Sequence, residues 1–212
     1  MSHIFLPRVL EAVIEPVGGI ADGAHPMRAV VKGAAFNDGS WDGIRAQKVA
    51  DLFDSMALEW KERENEGCSM VMDAFDRIQF TTGRALEVGC GTGEVLEILK
   101  GYFDEAVGID ISHEMLRNSN YPEADQINCD GARLPFPSES FDAVVIVNSL
   151  LFPAEVDRIL KVGGTCFFVS TKGDGTPIYL SPYDVRKALG LKYQAFTAAS
   201  GNGIWTALHK SA

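Results

Sequence analysis

Hydrophobic and polar residues alternate in two different ways along the chain, and the change falls near Arg84. After Arg84, short apolar runs rich in β-branched residues alternate with segments of helical spacing, which is the pattern of a parallel sheet covered by helices on both faces. The predicted strands are RALEVG, EAVGID, DQINCD, FDAVVIVNS and GTCFFVST, and the predicted helices are Glu94–Lys100, Ser112–Asn118 and Pro153–Leu160. We therefore predict an α/β fold with a doubly wound, mostly parallel sheet.

After the fifth predicted strand, the sequence predicts one helix and then a β-hairpin. The segment SPYDVRKALG predicts a helix capped by Ser181, with Pro182 in its first turn. The two apolar runs that follow, LKYQAFTAAS and GIWTALHK, are separated by GNG, which is typical of a β-hairpin. With the five preceding strands, this C-terminal hairpin predicts a seven-stranded sheet.

The region before Arg84 is organised differently. Gln47–Glu64 and Cys68–Ile78 have the spacing of amphipathic helices. Residues 1–45 hold the turn signals VGG, ADG and NDGS and one apolar run, MRAVVKGAAF, which favours a small strand pair. We therefore divide the chain into an N-terminal extension of uncertain structure (1–45), an N-terminal helical cap (46–80) and a core domain (81–212).

The composition, 46% hydrophobic and 23% charged, is ordinary for a soluble protein. No apolar run approaches the ~20 residues that span a bilayer, so no membrane insertion is expected. The apolar stretch IFLPRVLEAVI is interrupted by Arg8 and Glu11 and lacks a charged lead segment, so it does not resemble a signal peptide. The four cysteines form no CxxC pair, which favours free thiols in a reducing cytoplasm and no metal site.

The charge balance narrows the class of substrate. The chain carries 19 Lys and Arg against 29 Asp and Glu, a net charge of −10. Such a chain repels a polyanion unless a basic patch opposes the repulsion, and the sequence shows no basic cluster. We therefore expect a small-molecule substrate and no nucleic acid.

The segment RALEVGCGTGEVLEIL, residues 84–99, places three glycines between a predicted strand and a predicted helix. A phosphate-binding loop would end in Gly-Lys-Ser or Gly-Lys-Thr, but here Gly93 is followed by Glu94. A dinucleotide fold has a small residue at that position, and a carboxylate at a helix N-terminus would repel pyrophosphate. The turn is therefore compatible with a ligand that brings no phosphate to it.

Three acidic residues are expected near this turn. Glu87 lies two residues before the first glycine, Asp110 ends the second predicted strand, and Asp130 ends the third. Because ligands of open α/β sheets bind beyond the carboxyl ends of the strands, these acids are expected to converge there. S-adenosylmethionine needs a close backbone for its amino-acid tail, a carboxylate for its ribose hydroxyls and a polar contact for its adenine. Alternatively, Asp110 caps the following helix and Asp130 caps the following turn.

Three motifs occur in a specific order: LEVGCGTGEVLEIL, VGIDISHEML and DGARLPFPSESFDAVV. With LFDSMALEW before them and GIWTALHK after them, the chain resembles the class I S-adenosylmethionine-dependent methyltransferases over roughly residues 48–210. It is most similar to the group that includes the ubiquinone and menaquinone C-methyltransferases. The resemblance implies a Rossmann-like fold, S-adenosylmethionine as cofactor, and in-line methyl transfer to a small-molecule acceptor.

The resemblance also implies roles for individual residues. Residues 87–93 would line the methionine portion, Asp110 would bind the ribose hydroxyls, and Asp130 would hold adenine. Asn148 and Ser149 would border both the cofactor and the acceptor, and Trp60 would cover the sulfonium side unless it is a core aromatic. The predicted cofactor-binding residues are Glu87, Gly89, Cys90, Gly91, Gly93, Asp110, Ile111, Met115, Asp130, Gly131, Asn148 and Trp60.

The acceptor side departs from the family pattern. Gly131 stands where this group often has Ala, and the segment KGDGTPIYLSPYDV after the fifth predicted strand is short. We therefore expect the helices bearing Phe53, Met56, Trp60 and Phe75, together with part of residues 1–45, to form a lid over the acceptor. A packing layer or a dimer contact is the alternative.

The sequence assigns no catalytic residue. Methyl transfer from a sulfonium needs mainly positioning and exclusion of water, and no histidine is assigned a catalytic role. An NAD(P)-dependent oxidoreductase and a non-catalytic S-adenosylmethionine-binding module are the alternative functions. A homodimer is left open.

Overall fold

The computed structural model describes residues 2–8, 25–60, 66–121 and 123–211. Its strands are β1 (His3–Leu6), β2 (Arg84–Val88), β3 (Glu105–Asp110), β4 (Asp125–Asn128), β5 (Phe141–Val147), β6 (Leu160–Ser170), β7 (Tyr193–Ser200) and β8 (Gly203–Lys210). Its α-helices are α1 (Pro26–Phe36), α2 (Gly43–Trp60), α3 (Glu66–Arg77), α4 (Glu94–Tyr102), α5 (His113–Arg117), α6 (Pro153–Ile159) and α7 (Pro182–Leu189).

All eight strands form one sheet in the order β1-β7-β8-β6-β5-β2-β3-β4. The pairs are parallel except that β8 runs antiparallel to both β6 and β7, which confirms the predicted α/β fold and the C-terminal hairpin. The predicted count of seven strands is one too low. The additional strand is β1, which lies parallel to the edge strand β7, with His3 opposite Ala195 and Leu6 opposite Ala198.

Hydrophobic clusters cover both faces of the sheet, because successive side chains of a strand point to opposite faces. One cluster joins the sheet to α1, α6 and α7, and its members include Val31, Val156 and Val185. The other joins it to α3 and α4, where the Phe75 ring packs against Phe167 at a centroid distance of 4.9 Å. The layers on the two faces leave the ends of the strands as the place for a ligand.

The N-terminal region differs from its predicted strand pair. The run MRAVVKGAAF belongs to helix α1, whose buried residues include Met27 and Val31. His25 caps this helix through Nδ1, which accepts the Met27 N–H at 3.2 Å, and Pro26 occupies the first turn. A helix cap and a helical apolar face therefore outweigh the β-branched pair Val30–Val31. The predicted turns VGG and ADG, and part of the predicted helix Gln47–Glu64, lie outside the described residues.

The bounds of the cap and of the core domain stay predictions. No helix in the described ranges is both long enough and apolar enough to cross a membrane.

Candidate active site

A cavity of about 780 Å³ lies at the carboxyl ends of β2, β3, β5 and β6. The chain order of the strands reverses between β2 and β5, and open α/β sheets bind ligands at such a reversal. The volume falls within the range of roughly 300–1,000 Å³ found for small-molecule sites. The fold therefore places a ligand-sized space where the sequence predicts the cofactor.

The glycine turn after β2 forms one wall of this cavity. The backbone N–H groups of Gly89 and Cys90 both donate to the Ile109 carbonyl, at 2.8 and 2.9 Å, which ties the turn to β3. Gly89 has a φ of +76°, and a Cβ atom at this position would collide with the Ser149 hydroxyl. The Trp60 indole lies over Gly91. Larger residues in this turn would fill the space in front of β2.

Asp110, at the end of β3, is the main connection between the turn and α5. Its Oδ2 accepts the Gly91 N–H and its Oδ1 accepts the Ser112 N–H, both at 2.8 Å. Burial raises the pKa of this carboxyl, while the two backbone donors oppose the rise. The side chain of Ser112 caps α5 by accepting the Met115 N–H. Asp110 therefore braces the turn and also lines the cavity.

Glu87 is the most unusual charged group in the site. Only 2% of its surface is exposed, and its Oε2 is buried without a hydrogen-bond partner in the described part of the chain. Burial, and then the negative charges of Asp110 and Glu94, raise the pKa of Glu87 well above its usual range. Because it lines the cavity, Glu87 is suited to a positively charged ligand group.

Asp130, beyond β4, is held by the N-terminal region. The Trp41 indole N–H lies 3.1 Å from Oδ2 and 3.3 Å from Oδ1 of Asp130, and the Ala132 N–H donates to Oδ1 at 2.9 Å. The last of these bonds agrees with the turn-capping interpretation, but both Asp130 and Trp41 also line the cavity.

Asn148, after β5, uses its side chain to join two strand ends. Its Nδ2 donates to the Thr171 hydroxyl at 2.8 Å, and its Oδ1 accepts the Thr171 N–H at 3.0 Å. Its backbone is in the left-handed region, with a φ of +47°. Its amide is therefore engaged in fixing the ends of β5 and β6 beside the cavity.

The cavity brings together the predicted site residues Glu87, Gly89, Cys90, Gly91, Asp110, Ile111, Met115, Asp130, Gly131, Asn148 and Trp60. Gly93 does not line it and is instead the N-terminal cap of α4, with a φ of +96°. The roles of these residues in binding stay predictions.

The cavity wall agrees only in part with the predicted lid. Phe53, Met56 and Trp60 of α2 line it as expected. Phe75 does not line it, because α3 packs its aromatic ring into the core on the opposite side. The short segment after β6 also supplies Lys172, Thr176, Pro177 and Ile178 to the wall.

The sequence predicted that part of residues 1–45 lies over the site, but it did not single out His25, Met27 and Trp41, which line the cavity. They come from a region without a recognisable motif, and only the helix cap of α1 gave a local signal there.

Comparison with known proteins agrees with this geometry. The methyltransferase-domain family matches residues 86–168 of the chain. A demethylmenaquinone methyltransferase from Lysinibacillus sphaericus is 31% identical over 64% of this chain and 67% of its own length. The chain belongs to the class I S-adenosylmethionine-dependent methyltransferases. Membership in this family makes S-adenosylmethionine its cofactor.

A second curated methyltransferase matches over a smaller share of its length than the Lysinibacillus sphaericus enzyme does. The chain spans 39% of a fatty-acid O-methyltransferase from Mycolicibacterium smegmatis, at 35% identity over 47% of this chain. Among solved structures, a chain of the "Complex between the Haloferax volcanii Trm112 methyltransferase activator and the putative methyltransferase" has a TM-score of 0.66. That match has 17% identity and covers 77% of this chain and 98% of the other. At this identity the structural match shows the fold alone.

Proposed function

We propose that this methyltransferase binds S-adenosylmethionine at the acidic end of the cavity and transfers the methyl group to a small apolar acceptor in the remainder. The observation that carries the proposal is the division of the cavity wall. Glu87, Glu94, Asp110 and Asp130 surround the glycine turn and the neighbouring strand ends, whereas methionine, aromatic and aliphatic side chains from α1, α2 and the segment after β6 form much of the rest.

The acidic end fits the cofactor. S-adenosylmethionine carries an ammonium and a sulfonium, and the unpartnered Oε2 of Glu87 offers a buried acceptor for the ammonium. Each carboxylate oxygen can accept about two hydrogen bonds, and the two backbone donors leave capacity on Asp110 for ribose hydroxyls. Because the cavity wall is acidic here, it favours this cation over a pyrophosphate-bearing dinucleotide.

The chain contributes mainly by holding the acceptor and excluding water. When bound, S-adenosylmethionine supplies a methyl group on positively charged sulfur, which is already activated toward a nucleophile. Among the described residues that line the cavity, the basic side chains are His25 and Lys172. The Nδ1 atom of His25 accepts the Met27 N–H. We assign no general base to the reaction.

An apolar acceptor also agrees with the names of the relatives, which act on fatty acids and on demethylmenaquinone. We place the protein in the cytoplasm, a reducing compartment that suits its four free cysteines. The homodimer stays a prediction that light scattering of the purified protein tests.

We expect S-adenosylhomocysteine, and not NAD, to stabilise the protein. A ligand at a hundred times its dissociation constant adds roughly 2.7 kcal/mol to the free energy of unfolding, which a thermal shift assay detects. Stabilisation by NAD with no effect of S-adenosylhomocysteine would instead support an oxidoreductase. A methyl-transfer assay with apolar acids and quinols then separates an enzyme from a binding module.

We expect Asp110→Ala to weaken S-adenosylhomocysteine binding about tenfold or more, because hydrogen bonds to a charged group contribute about 1.5–3 kcal/mol each. Calorimetric titration measures the affinity, and circular dichroism checks that the variant is folded. Asp110→Asn keeps the size of the side chain but leaves an acceptor for only one of the two backbone N–H groups, so it should weaken binding as well. Unchanged affinity in a folded Asp110→Ala variant would make Asp110 a structural brace only.

A further inference from the structure

Among the residues of the N-terminal region that line the cavity, Trp41 is the one that contacts Asp130. Trp41 lies between α1 and α2, and its indole N–H is shared between the two carboxylate oxygens of Asp130. Its ring packs edge-on against Phe152, at a centroid distance of 5.0 Å and an interplanar angle of 64°. Trp41 is therefore held by a hydrogen bond on one side and by an aromatic contact on the other.

Gly131 explains how Phe152 reaches this position. A Cβ atom at Gly131 would lie 3.0 Å from the Phe152 ring, which is closer than side chains normally approach. Gly131 thus makes room for Phe152, Phe152 supports Trp41, and Trp41 holds Asp130. The glycine that departs from the family pattern and the N-terminal region are parts of one arrangement.

The carboxylate of Asp130 can accept about four hydrogen bonds, and the described residues use three of these positions at most. The remaining capacity is on Oδ2, which accepts only from Trp41 in the described part of the chain. A carboxylate can only accept, and the hydrogen-bond donor on the edge of adenine is its exocyclic amino group. A ligand that meets Asp130 with adenine must therefore present that amino group.

We propose that Trp41 is a positioning residue that orients Asp130 and thereby makes the site selective for the exocyclic amino group of the cofactor's base. This inference rests on the proposed function, because it requires the adenine of the cofactor to lie at Asp130. Trp41 binds to Asp130 together with the base and does not compete with it, since one acceptor position on Oδ2 is left.

The test compares two ligands and two tryptophans. The ligands are S-adenosylhomocysteine and its analogue with hydrogen in place of the exocyclic amino group. Trp41→Phe keeps the aromatic ring but removes the N–H donor, and we expect about fivefold to tenfold weaker binding of S-adenosylhomocysteine with less than twofold change for the analogue. Trp60→Phe, the same substitution at the other cavity tryptophan, should leave the ratio of the two affinities unchanged.

Two further variants act on the same arrangement. Gly131→Ala places a methyl group against the Phe152 ring and leaves the Trp41 side chain unchanged. It should reduce the preference for S-adenosylhomocysteine over the analogue. The Asp130→Ala variant should bind S-adenosylhomocysteine and the analogue with similar affinities. Adding Trp41→Phe to this variant should leave the ratio of the two affinities unchanged. If Trp41→Phe fails to fold, Gly131→Ala and the Asp130→Ala comparison decide the question.

The outcomes separate the two proposals. If the wild-type protein binds neither ligand, the proposed function is wrong, and the role of Trp41 is lost with it. If the wild-type protein binds S-adenosylhomocysteine and Trp41→Phe weakens both ligands equally or neither, the proposed function stands and Trp41 is only a wall of the cavity. A selective loss for the amino-bearing ligand supports the inference.

Discussion

Glu87 combines two opposing requirements in one side chain. In the protein without ligand, its ionised form is buried close to Asp110 and Glu94, which is unfavourable and raises its pKa. In the complex, the same ionised form would pair with the ammonium of the cofactor. Glu87 therefore lowers the free energy of unfolding of the free protein and raises its affinity for the cofactor. This combination is common at ligand sites.

We expect Glu87→Gln to stabilise the free protein at neutral pH and to weaken S-adenosylhomocysteine binding about tenfold or more. Since the folded pKa is raised, the wild-type free energy of unfolding falls as pH rises above about 4.3, the ordinary glutamate pKa, through the folded value. Affinity should rise with pH over the same interval. Thermal unfolding and calorimetry across this interval measure both trends, and identical pH profiles for the two proteins would contradict this role for Glu87.

At the level of residues, the sequence predicted the three acids and Trp60 at the cavity, but it did not predict Trp41. Glu87, Asp110 and Asp130 follow strands whose apolar runs are easy to recognise, so their convergence follows from the rule for parallel sheets. Trp41 and His25 reach the cavity through tertiary packing of α1 and α2. Trp41 and Asp130 are far apart in the sequence, so the sequence does not predict their hydrogen bond.

Among the elements, helix α2 is joined by hydrogen bonds to the start of α5 beside the cavity. Its Asp54 accepts hydrogen bonds from the Ser112 hydroxyl at 2.5 Å and from the Glu114 N–H at 3.0 Å, at the start of α5. Helix α5 begins just after Asp110, so the position of α2 depends on the strand end that would hold the ribose. This connection is absent from the sequence pattern, which predicted the helix but not its contact.

We expect S-adenosylhomocysteine to slow hydrogen exchange in α2, and Asp54→Ala to reduce both this protection and the ligand affinity by about threefold to tenfold. Asp51→Ala is the matched control, because Asp51 lies on the same helix and its carboxylate accepts only from Gln47 among the described residues. Exchange measured by mass spectrometry with and without ligand provides the test. Full protection of α2 without ligand, unchanged in Asp54→Ala, would place α2 in the core and contradict its function as a lid.

At the level of the whole molecule, the strand order was predictable only in part. The alternation of strands and helices after Arg84 defines the parallel sheet and the hairpin, because each connection there is short. Strand β1 has no such local connection, since its partner β7 lies near the other end of the chain. Side chains add to the backbone pairing of β1 with β7. His3 Nε2 lies 2.8 Å from the Thr197 hydroxyl, and the Arg77 side chain donates to the Pro7 carbonyl at 2.7 Å.

We expect deletion of residues 2–8 to lower Tm by roughly 2–8 °C, or about 1–2 kcal/mol for a chain of this size, and to promote self-association through the uncovered edge of β7. S-adenosylhomocysteine affinity should change less than twofold, because no residue of β1 lines the cavity. Thermal unfolding, ultracentrifugation and calorimetry measure the three quantities. Phe5→Ala, at a side chain that is 69% exposed, serves as the control with little effect. A monomeric deletion variant with an unchanged Tm would mean that β1 does not protect this edge.

The pairing of His3 with Ala195 also sets an order of events during synthesis. Strands β2, β3 and β5 can associate as soon as the middle of the chain has emerged, whereas β1 has no partner until β7 is complete. Strand β8, which lies between β6 and β7, must emerge after both of its neighbours. Contacts of such long sequence separation slow folding, because the closure entropy of the loop has to be overcome before they form. Strand β1 is therefore made before its partner β7 and is among the last of the described strands to enter the sheet.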